Sequence, residues 1–184
     1  SYVVTSDDRL PRKTLELLRT AIDTTLGLTR CSFPNKHEFF IPPFTLWWVG
    51  MVYDYALWRG DPAFIRTLMP DVRRVVETFV QKIDAEKGLL RSPDGWNFTD
   101  WVPVWTETTK SYRNWGVPPG GNPGEFSAVL NWHLVYTLML LVELETWLEE
   151  PELAQRGKRQ ALSLVHQIDE AFWDGKRQMY ADDV

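Results

Sequence analysis

Segments that are apolar on every side alternate in this chain with segments that have one apolar and one charged face. The first kind covers Pro43 to Arg59 and Phe126 to Leu148, and a segment of the second kind follows each of them. A helix that is apolar all round has to be enclosed, whereas an amphipathic helix covers one side of a core. The alternation therefore predicts helical hairpins in which an inner helix is followed by an outer one.

Five helices account for the periodic apolar positions, so the predicted fold class is all-α, with helical hairpins arranged as part of a ring. Their predicted bounds are Asp8 to Leu26, Pro43 to Arg59, Pro62 to Ile83, Phe126 to Leu148 and Pro151 to Phe172. Asp61 should cap the third helix ahead of Pro62, and Pro70 predicts a kink within it. With 184 residues, the chain is expected to form a single domain.

A short motif, Ile-Asp-x-x-x-Gly-Leu, occurs at Ile22 to Leu28 and again 61 residues later at Ile83 to Leu89. Each copy lies at a predicted helix end, where glycine would form a C-cap. A third Ile-Asp pair at Ile168 keeps the period if the 24 irregular residues from Val102 to Glu125 are an insertion. The motif either marks a repeat of hairpins or recurs by chance.

Composition limits the partners that the chain can have. A net charge of −5 and a pI near 5.2 give no general attraction to nucleic acid or to anionic membranes. The longest uncharged window, Phe126 to Val142, is shorter than the ~20 residues of a membrane crossing, so we expect a buried helix. Cys31 is the single cysteine, which excludes an intrachain disulfide. No targeting peptide is visible, and no cofactor or metal is expected.

The irregular stretches that precede the two inner helices should emerge at the same end of the ring. The longer stretch interleaves aromatic rings with hydrogen-bonding side chains. These residues are Trp96, Asn97, Asp100, Trp101, Trp105, Glu107, Tyr112 and Trp115. Pyranose sugars stack their C–H faces on aromatic rings and offer their hydroxyls to carboxylates and amides. The stretch therefore predicts a sugar-binding loop; the alternative is that its tryptophans only cover the end of the ring.

Two positions on the first inner helix leave alternatives open. Trp47 and Trp48 are adjacent and therefore point about 100° apart, so at most one of them can face a site while the other packs. Asp54 would be costly to bury alone, so it either has a partner or lines a cavity.

The remaining polar candidates are weaker. His37 and Glu38 lie in a short loop that either touches a ligand or is simply exposed. His133 and His166 have no second histidine or carboxylate at metal-binding spacing, so they are predicted to be structural histidines with satisfied hydrogen bonds.

Three runs of sequence resemble the bacterial alpha-L-rhamnosidases and related enzymes of glycoside hydrolase family 78. They are FPNKHEFFIPPFTLWWVGMVYDYALWRGD from Phe33, GLL followed by WNFTDW between Gly88 and Trp101, and AFWDGKRQMYADD from Ala171. The resemblance implies about two and a half hairpins of an (α/α)6 toroid, from an enzyme that hydrolyses terminal alpha-L-rhamnosides by inversion. With the aromatic loop, it gives a set of expected substrate-binding residues: Trp47, Trp48, Trp96, Asn97, Asp100, Trp101 and Trp105.

The same resemblance implies that neither catalytic carboxylate lies in this chain. In the family the general acid precedes the segment that SYVVTSDDRLPRK resembles, and the general base comes from a later hairpin. Asp7 and Asp8 are expected to be caps, and Asn35 stands where relatives often have serine. We therefore expect no activity from the isolated chain, and the resemblance slightly favours a periplasmic or extracellular location. The alternative is a non-catalytic sugar-binding or scaffolding protein of helical hairpins.

A ring that is open at both ends should leave apolar side chains without neighbours. The expected positions are Leu15, Leu18 and Ile22 at one end, and Leu134, Leu138 and Leu141 at the other. Because large exposed apolar patches usually find a partner, the sequence predicts that the chain self-associates, for example about a two-fold axis.

Overall fold

The computed structural model describes residues 2–106 and 115–182, and the all-α fold class is confirmed there. The elements are α1 (Tyr2–Thr5), α2 (Arg9–Thr20), α3 (Pro42–Arg59), α4 (Pro62–Val80), α5 (Pro103–Thr106), α6 (Ala128–Trp147), α7 (Pro151–Phe172), β1 (Trp173–Asp174) and β2 (Met179–Tyr180). The five long helices lie where the periodicity predicted them. The very short helices α1 and α5 and the two strands were not predicted, since elements of two to four residues carry no periodic signal.

Side-chain caps fix where the helices begin. The Asp61 carboxylate accepts a hydrogen bond from the Phe64 N–H at 3.0 Å, as predicted, and the Ser127 hydroxyl accepts one from the Leu130 N–H at 3.3 Å. Helix α4 continues through Pro70 as one helix. Asp7 caps the Arg9 N–H at 3.0 Å, and hydrogen bonds from Arg9 lower the Asp7 pKa to about 2.

Asp8 has a different role from the predicted cap, because its side chain makes no capping bond. Its Oδ2 accepts hydrogen bonds from Arg59 at 2.6 Å and from the Tyr55 hydroxyl at 3.0 Å. These two bonds hold the pKa of Asp8 below its usual range, and the bond from Arg59 has the larger effect. Asp8 therefore ties the start of α2 to the last turns of α3.

Helices α3 and α6 are adjacent and run parallel. Near their starts Trp47 packs against His133, with ring centroids 4.6 Å apart, and further along the Tyr53 hydroxyl donates to Glu143. Helix α4 packs against both of them, α2 packs against α3, and α7 packs against α6. The predicted order of inner and outer helices is therefore present, and both inner helices begin at the same end, which we call the rim.

Helix α6 combines a membrane-like composition with burial inside the fold. Within the described residues it is the one helix long and apolar enough to cross a membrane, and 61% of that apolar window is buried. Contacts with α3, α4 and α7 cover the buried part of this helix.

The predicted exposed flanks are wrong. Leu15, Ile22, Leu134, Leu138 and Leu141 belong to the buried core, and Leu18 packs partly buried against it. The reason is that these side chains face the neighbouring helices, while a different face of the inner helices is open. We call this open face the inner stripe: Trp47, Met51, Asp54 and Trp58 on α3, and Tyr136, Met139, Glu143 and Trp147 on α6. Tyr55, the residue after Asp54, is buried and lies off this stripe.

The two copies of the Ile-Asp motif fold into the same turn, and this turn begins two or three residues after an outer helix ends. In each copy the isoleucine pairs with the residue seven positions later, Ile22 with Thr29 and Ile83 with Leu90. The predicted glycine C-caps close these turns instead of the helices, with φ of 68° at Gly27 and 66° at Gly88. The first helix consequently ends at Thr20, six residues earlier than predicted.

A third copy of the turn exists, but it begins at Trp173 and not at Ile168. Trp173 pairs with Tyr180, again seven positions later. Asp174 accepts hydrogen bonds from two backbone N–H groups, as Asp23 and Asp84 do. Gln178 takes the glycine position with φ of 53°. The sequence motif did not reveal this copy because tryptophan and glutamine replace isoleucine and glycine. The repeat is therefore present in the structure, but its predicted period was wrong.

Candidate functional site

Two connections from outer to inner helices meet at the rim. The short connection covers residues 31–41, and the long connection covers residues 91–127, described except for 107–114. Phe39 in the short connection packs against Trp96 in the long one, with ring centroids 5.7 Å apart. Phe44 on α3 meets Phe98 edge-on at 6.2 Å. The two connections therefore lie at the same end of the fold, as predicted.

Three rings of the WNFTDW motif form one cluster, which we call the ring cluster: Trp96, Phe98 and Trp101. Phe98 lies 5.1 Å from Trp96 and 4.9 Å from Trp101, and the two indoles are 6.4 Å apart. The Trp96 Nε1–H donates to the Trp115 carbonyl at 2.9 Å, which fixes the indole across the long connection. Trp101 is 60% exposed, so a fixed aromatic surface faces solvent at the rim.

Asp100 supplies a carboxylate beside the exposed indole. Its side chain is exposed, and Oδ1 accepts from the Trp101 N–H at 2.7 Å. An ionised carboxylate is an acceptor for hydroxyl groups. Asp100 and Trp101 thus pair an apolar face with a hydrogen-bond acceptor, the combination that a pyranose ring requires.

Asn97 holds the long connection together, and its predicted role as a substrate contact is corrected. The side chain is 1% exposed, and Nδ2 donates to the carbonyls of Pro93 at 2.7 Å and Gly121 at 2.9 Å. Its Oδ1 is buried without a partner among the described residues. Because the amide joins the two ends of the long connection, Asn97 acts inside the loop.

Ser92 closes the same loop through its backbone and its hydroxyl. Its N–H donates to the Glu125 carbonyl at 2.8 Å, and its carbonyl accepts from the Gly124 N–H at 2.9 Å. The hydroxyl donates to the Gly120 carbonyl at 2.7 Å. The described parts of the long connection are therefore tied across their width, as expected of a compact loop.

The structure separates the two adjacent tryptophans of α3. Trp48 is completely buried and its Nε1–H reaches the Leu15 carbonyl at 3.4 Å, so its inclusion among substrate-binding residues is corrected. Trp47 is half exposed and packs against His133 and Tyr136. It lies on the inner stripe just below the rim.

His133 differs from the predicted satisfied histidine. Its Nε2 is buried and has no hydrogen-bond partner among the described residues. Burial lowers the His133 pKa to about 4, so the ring is neutral at physiological pH. His166, by contrast, is exposed on α7 and lies 3.5 Å from Glu170.

The other candidates lie apart from the ring cluster. Trp105 is partly buried in α5 and lines a separate cavity. Asp54 is exposed on the inner stripe, and His37 and Glu38 are exposed in the short connection, where Glu38 pairs with Arg30. Glu107 and Tyr112 lie outside the described residues. No group of side chains suited to a metal ion occurs in the described parts of the chain.

Sequence reasoning missed two polar anchors beneath the rim. Asn131 is fully buried on α6; its Oδ1 accepts from the Leu90 N–H at 2.7 Å and its Nδ2 donates to the Leu90 carbonyl at 3.1 Å. At the corresponding position of α3, the Thr45 hydroxyl accepts from the Thr29 N–H at 3.0 Å. An amide in an otherwise apolar helix was the available signal, because a buried amide needs partners.

Comparison with known proteins supports the family resemblance. No family model and no curated protein matches the chain. Among solved structures, a GH78 family rhamnosidase of Bacillus sp. GL1 superposes with a TM-score of 0.77 and 24% identity, over 96% of this chain and 17% of that one. A rhamnosidase from Klebsiella oxytoca with rhamnose bound superposes with a TM-score of 0.70 and 25% identity, over 95% of this chain and 31% of that one.

These matches show that the chain has the fold of part of a GH78 rhamnosidase structure. The chain spans less than a third of the length of either rhamnosidase. The shared fold and the identity near one residue in four support a domain related to glycoside hydrolases.

Proposed function

We propose that this chain is part of the catalytic domain of a glycoside hydrolase, and that its rim forms part of the wall that binds a terminal alpha-L-rhamnosyl group. The observation that carries the proposal is the ring cluster, in which the exposed face of Trp101 is held next to the Asp100 carboxylate. The likeness to two rhamnosidase structures, one of them with rhamnose bound, supports rhamnose as the sugar.

The complete protein would hydrolyse the glycosidic bond by inversion, within an (α/α)6 toroid of which the parallel helices α3 and α6 are two inner members. An inverting enzyme needs an acid and a base about 6.5–9.5 Å apart, with room for a water molecule between the substrate and the base. By the family resemblance both carboxylates lie in other hairpins. The isolated chain should therefore bind the sugar without cleaving the bond, since loss of either group costs orders of magnitude in rate.

Ligand-observed saturation-transfer NMR with methyl alpha-L-rhamnopyranoside tests the binding role. We expect saturable binding to the 184-residue chain and at least a fivefold loss of affinity in Trp101→Ala. Trp58→Ala is the matched control, because Trp58 is equally exposed, 61% against 60%, but lies at the far end of α3. Equal affinity in the two variants, or no binding to the unmodified chain, would overturn the proposal.

The non-catalytic alternative differs from the enzyme hypothesis in predicting that the complete protein lacks the catalytic acid and base. Both hypotheses allow sugar binding by this chain, and both allow it to be inactive. An acidic motif within a few tens of residues before Ser1 in the gene favours the enzyme, and its absence favours a binding or scaffolding protein. Turnover of 4-nitrophenyl alpha-L-rhamnopyranoside by the purified chain would contradict the prediction that this chain lacks the catalytic acid and base.

We also propose that the chain self-associates through the inner stripe. Its apolar side chains are between 37% and 61% exposed, and Trp47 packs against Tyr136 across the two inner helices. Sedimentation at micromolar concentration should show a dimer or larger species, and a double variant, Met51→Glu with Met139→Glu, should be monomeric. A monomeric unmodified chain that also fails to bind a hydrophobic dye would contradict self-association.

A further inference from the structure

The ring cluster rests on two residues from the far side of the long connection, Trp115 and Gly116. Three hydrogen bonds from the WNFTDW motif end on the carbonyls of these two residues. The Trp96 Nε1–H donates to the Trp115 carbonyl at 2.9 Å. The N–H groups of Thr99 and Asp100 donate to the Gly116 carbonyl at 2.8 and 3.3 Å. The end of the motif that carries the carboxylate is therefore held by a single carbonyl group.

The contact at Gly116 has no room for a side chain. Its φ is 66°, a left-handed conformation that glycine adopts without strain. A Cβ at this position would lie 2.4 Å from Cε2 of Phe98 and 2.5 Å from the carbonyl oxygen of Asp100, well inside the distance of van der Waals contact. An alanine would therefore push on the ring between the two indoles and on the backbone that carries the carboxylate.

The Asp100 carbonyl has little freedom to move away from such a side chain. It accepts a hydrogen bond from the Val102 N–H at 2.8 Å, in a tight turn that spans Trp101. Within the same turn, the Asp100 Oδ1 accepts from the Trp101 N–H at 2.7 Å. Displacing the carbonyl breaks the bond to Val102 or rotates the peptide group that joins Asp100 to Trp101. Either change alters the position of the carboxylate relative to the indole.

Gly124, in the same connection, has a similar backbone conformation without the close contact. Its φ is 84°, but no described atom beyond its neighbours in the chain would lie within 4 Å of a Cβ there. An alanine at Gly124 would add only the cost of the left-handed conformation, whereas an alanine at Gly116 would also displace the ring cluster. The two glycines therefore separate backbone strain from displacement of the site.

We propose that Gly116 is a positioning residue of the sugar site, because its carbonyl and its lack of a side chain set the place of the Asp100 carboxylate beside the Trp101 indole. The inference rests on the proposed function and adds how that site selects its ligand. An indole face alone stacks on the C–H face of many pyranoses. A carboxylate in a fixed place accepts only from a hydroxyl that reaches it. Gly116 thus makes the site selective among sugars that differ at one hydroxyl.

A double-mutant cycle, measured by saturation-transfer titration with methyl alpha-L-rhamnopyranoside, tests this role. Asp100→Ala alone should weaken binding about fivefold, as the loss of one hydrogen bond does. Gly116→Ala alone should weaken it by a similar factor, and adding Asp100→Ala should then have no further effect, because the carboxylate is already out of place. A glycine that only stabilises the loop would leave the two effects independent, so a combined loss of about 25-fold would overturn the proposal.

Gly124→Ala is the matched control and should bind the sugar as tightly as the unmodified chain. In ¹⁵N-labelled protein without sugar, Gly116→Ala should move the indole N–H signals of Trp96 and Trp101. The signal of buried Trp48 should stay in place, which shows that the variant is folded. Unmoved Trp96 and Trp101 signals would contradict the displacement of the ring cluster.

Trp96→Phe takes the place of Gly116→Ala in the cycle if that variant does not fold. It keeps an aromatic ring but removes the hydrogen bond to the Trp115 carbonyl. One of the three bonds that hold the motif is then lost, so the effect of Asp100→Ala should fall from about fivefold to about twofold. An undiminished effect of Asp100→Ala in this background would overturn the proposal.

The outcomes separate this inference from the proposed function. If the unmodified chain does not bind the methyl glycoside, the proposed function fails, and the role of Gly116 in sugar binding fails with it. If the unmodified chain binds and Trp101→Ala weakens binding, but Gly116→Ala binds as tightly as Gly124→Ala, only the positioning role is overturned.

Discussion

The short connection (31–41) and the long connection (91–127) follow the same turn and lead into parallel inner helices, but they are held in different ways. In the short connection, Asn35 is exposed and donates to the Ser32 hydroxyl at 2.9 Å. In the long connection, Asn97 is buried and joins two backbone segments. The comparison teaches that the turns and inner helices are a repeated scaffold, while the rigid aromatic surface at the rim belongs to the long connection.

Replacing Asn97 and Asn35 in turn should give the largest difference in stability between the two connections. Asn97→Asp removes both donors and places a buried carboxylate against two carbonyl oxygens. We expect it to lower the free energy of unfolding by about 4 kcal/mol, whereas Asn35→Asp should stay within about 0.5 kcal/mol. Urea denaturation followed by circular dichroism measures both. A small effect of Asn97→Asp would show that the long connection is not held by that amide.

Lowering the pH should destabilise the fold through His133, which is buried on α6. The pKa of His133 in the folded chain is about 4, lowered by burial, against the reference value of 6.5 for an exposed histidine. Between these pH values the unfolded chain binds the proton and the folded chain does not, so stability falls as the pH falls from 6.5 to 4. The expected loss is about 2–3 kcal/mol.

The matched control for this pH effect is the exposed histidine of α7. His133→Gln should flatten the stability profile between pH 6.5 and 4.5 in urea titrations, and His166→Gln should leave it unchanged. A profile that is identical in the unmodified chain and in His133→Gln would mean that the buried imidazole is not the group responsible.

The buried polar side chains beneath the two connections, Asn131 and Thr45, should contribute differently to stability because they make different numbers of hydrogen bonds. Asn131 bonds both the N–H and the carbonyl of Leu90, whereas Thr45 accepts one bond from the Thr29 N–H. We expect Asn131→Ala to cost about 3 kcal/mol and Thr45→Ala about 1 kcal/mol. Hydrogen exchange of the Leu90 and Thr29 amides gives a local measurement. Equal protection losses at the two amides would remove this distinction.

The smallest expected effect concerns the third turn, which has no glycine at the left-handed position. Gln178 has a φ of 53°, a conformation that costs a non-glycine residue about 1 kcal/mol. Gln178→Gly should therefore raise the free energy of unfolding by about 0.5 kcal/mol, after loss of the bond from its side chain to the Gly175 carbonyl. Gly27→Ala should have the opposite sign, because a Cβ there would lie 2.2 Å from Thr78 Oγ1. Thermal unfolding compares the two variants.

Much of the scaffold could be predicted from sequence because periodicity and caps are local signals. The five long helices, the Asp61 cap and the shared rim all follow from spacing. The exposed flanks could not be predicted, since Leu15 and Leu138 are apolar whether they face a neighbour or a gap. The third turn was predicted at the wrong position because the turn is defined by its backbone conformation, and the sequence motif reflects that conformation only in part.

The candidate site was predictable in composition but not in orientation. The WNFTDW motif indicated aromatic rings beside polar groups, and Trp96, Asp100 and Trp101 are indeed together at the rim. Sequence left open which of Trp47 and Trp48 packs, because helix rotation decides it. It also could not show that the Asn97 amide turns inward, since an amide in a loop bonds sugar hydroxyls and backbone carbonyls equally well.

The central claim is that a sugar binds at the ring cluster of the long connection, and the indole N–H signals of the ten tryptophans test it directly. In a ¹⁵N-labelled chain titrated with methyl alpha-L-rhamnopyranoside, the Trp101 signal should shift most and the Trp96 signal should follow, each assigned by substitution to phenylalanine. The signals of buried Trp48 and of Trp58 at the far end of α3 should not move. Shifts confined to tryptophans outside the rim, or no shifts at saturating sugar, would contradict the account.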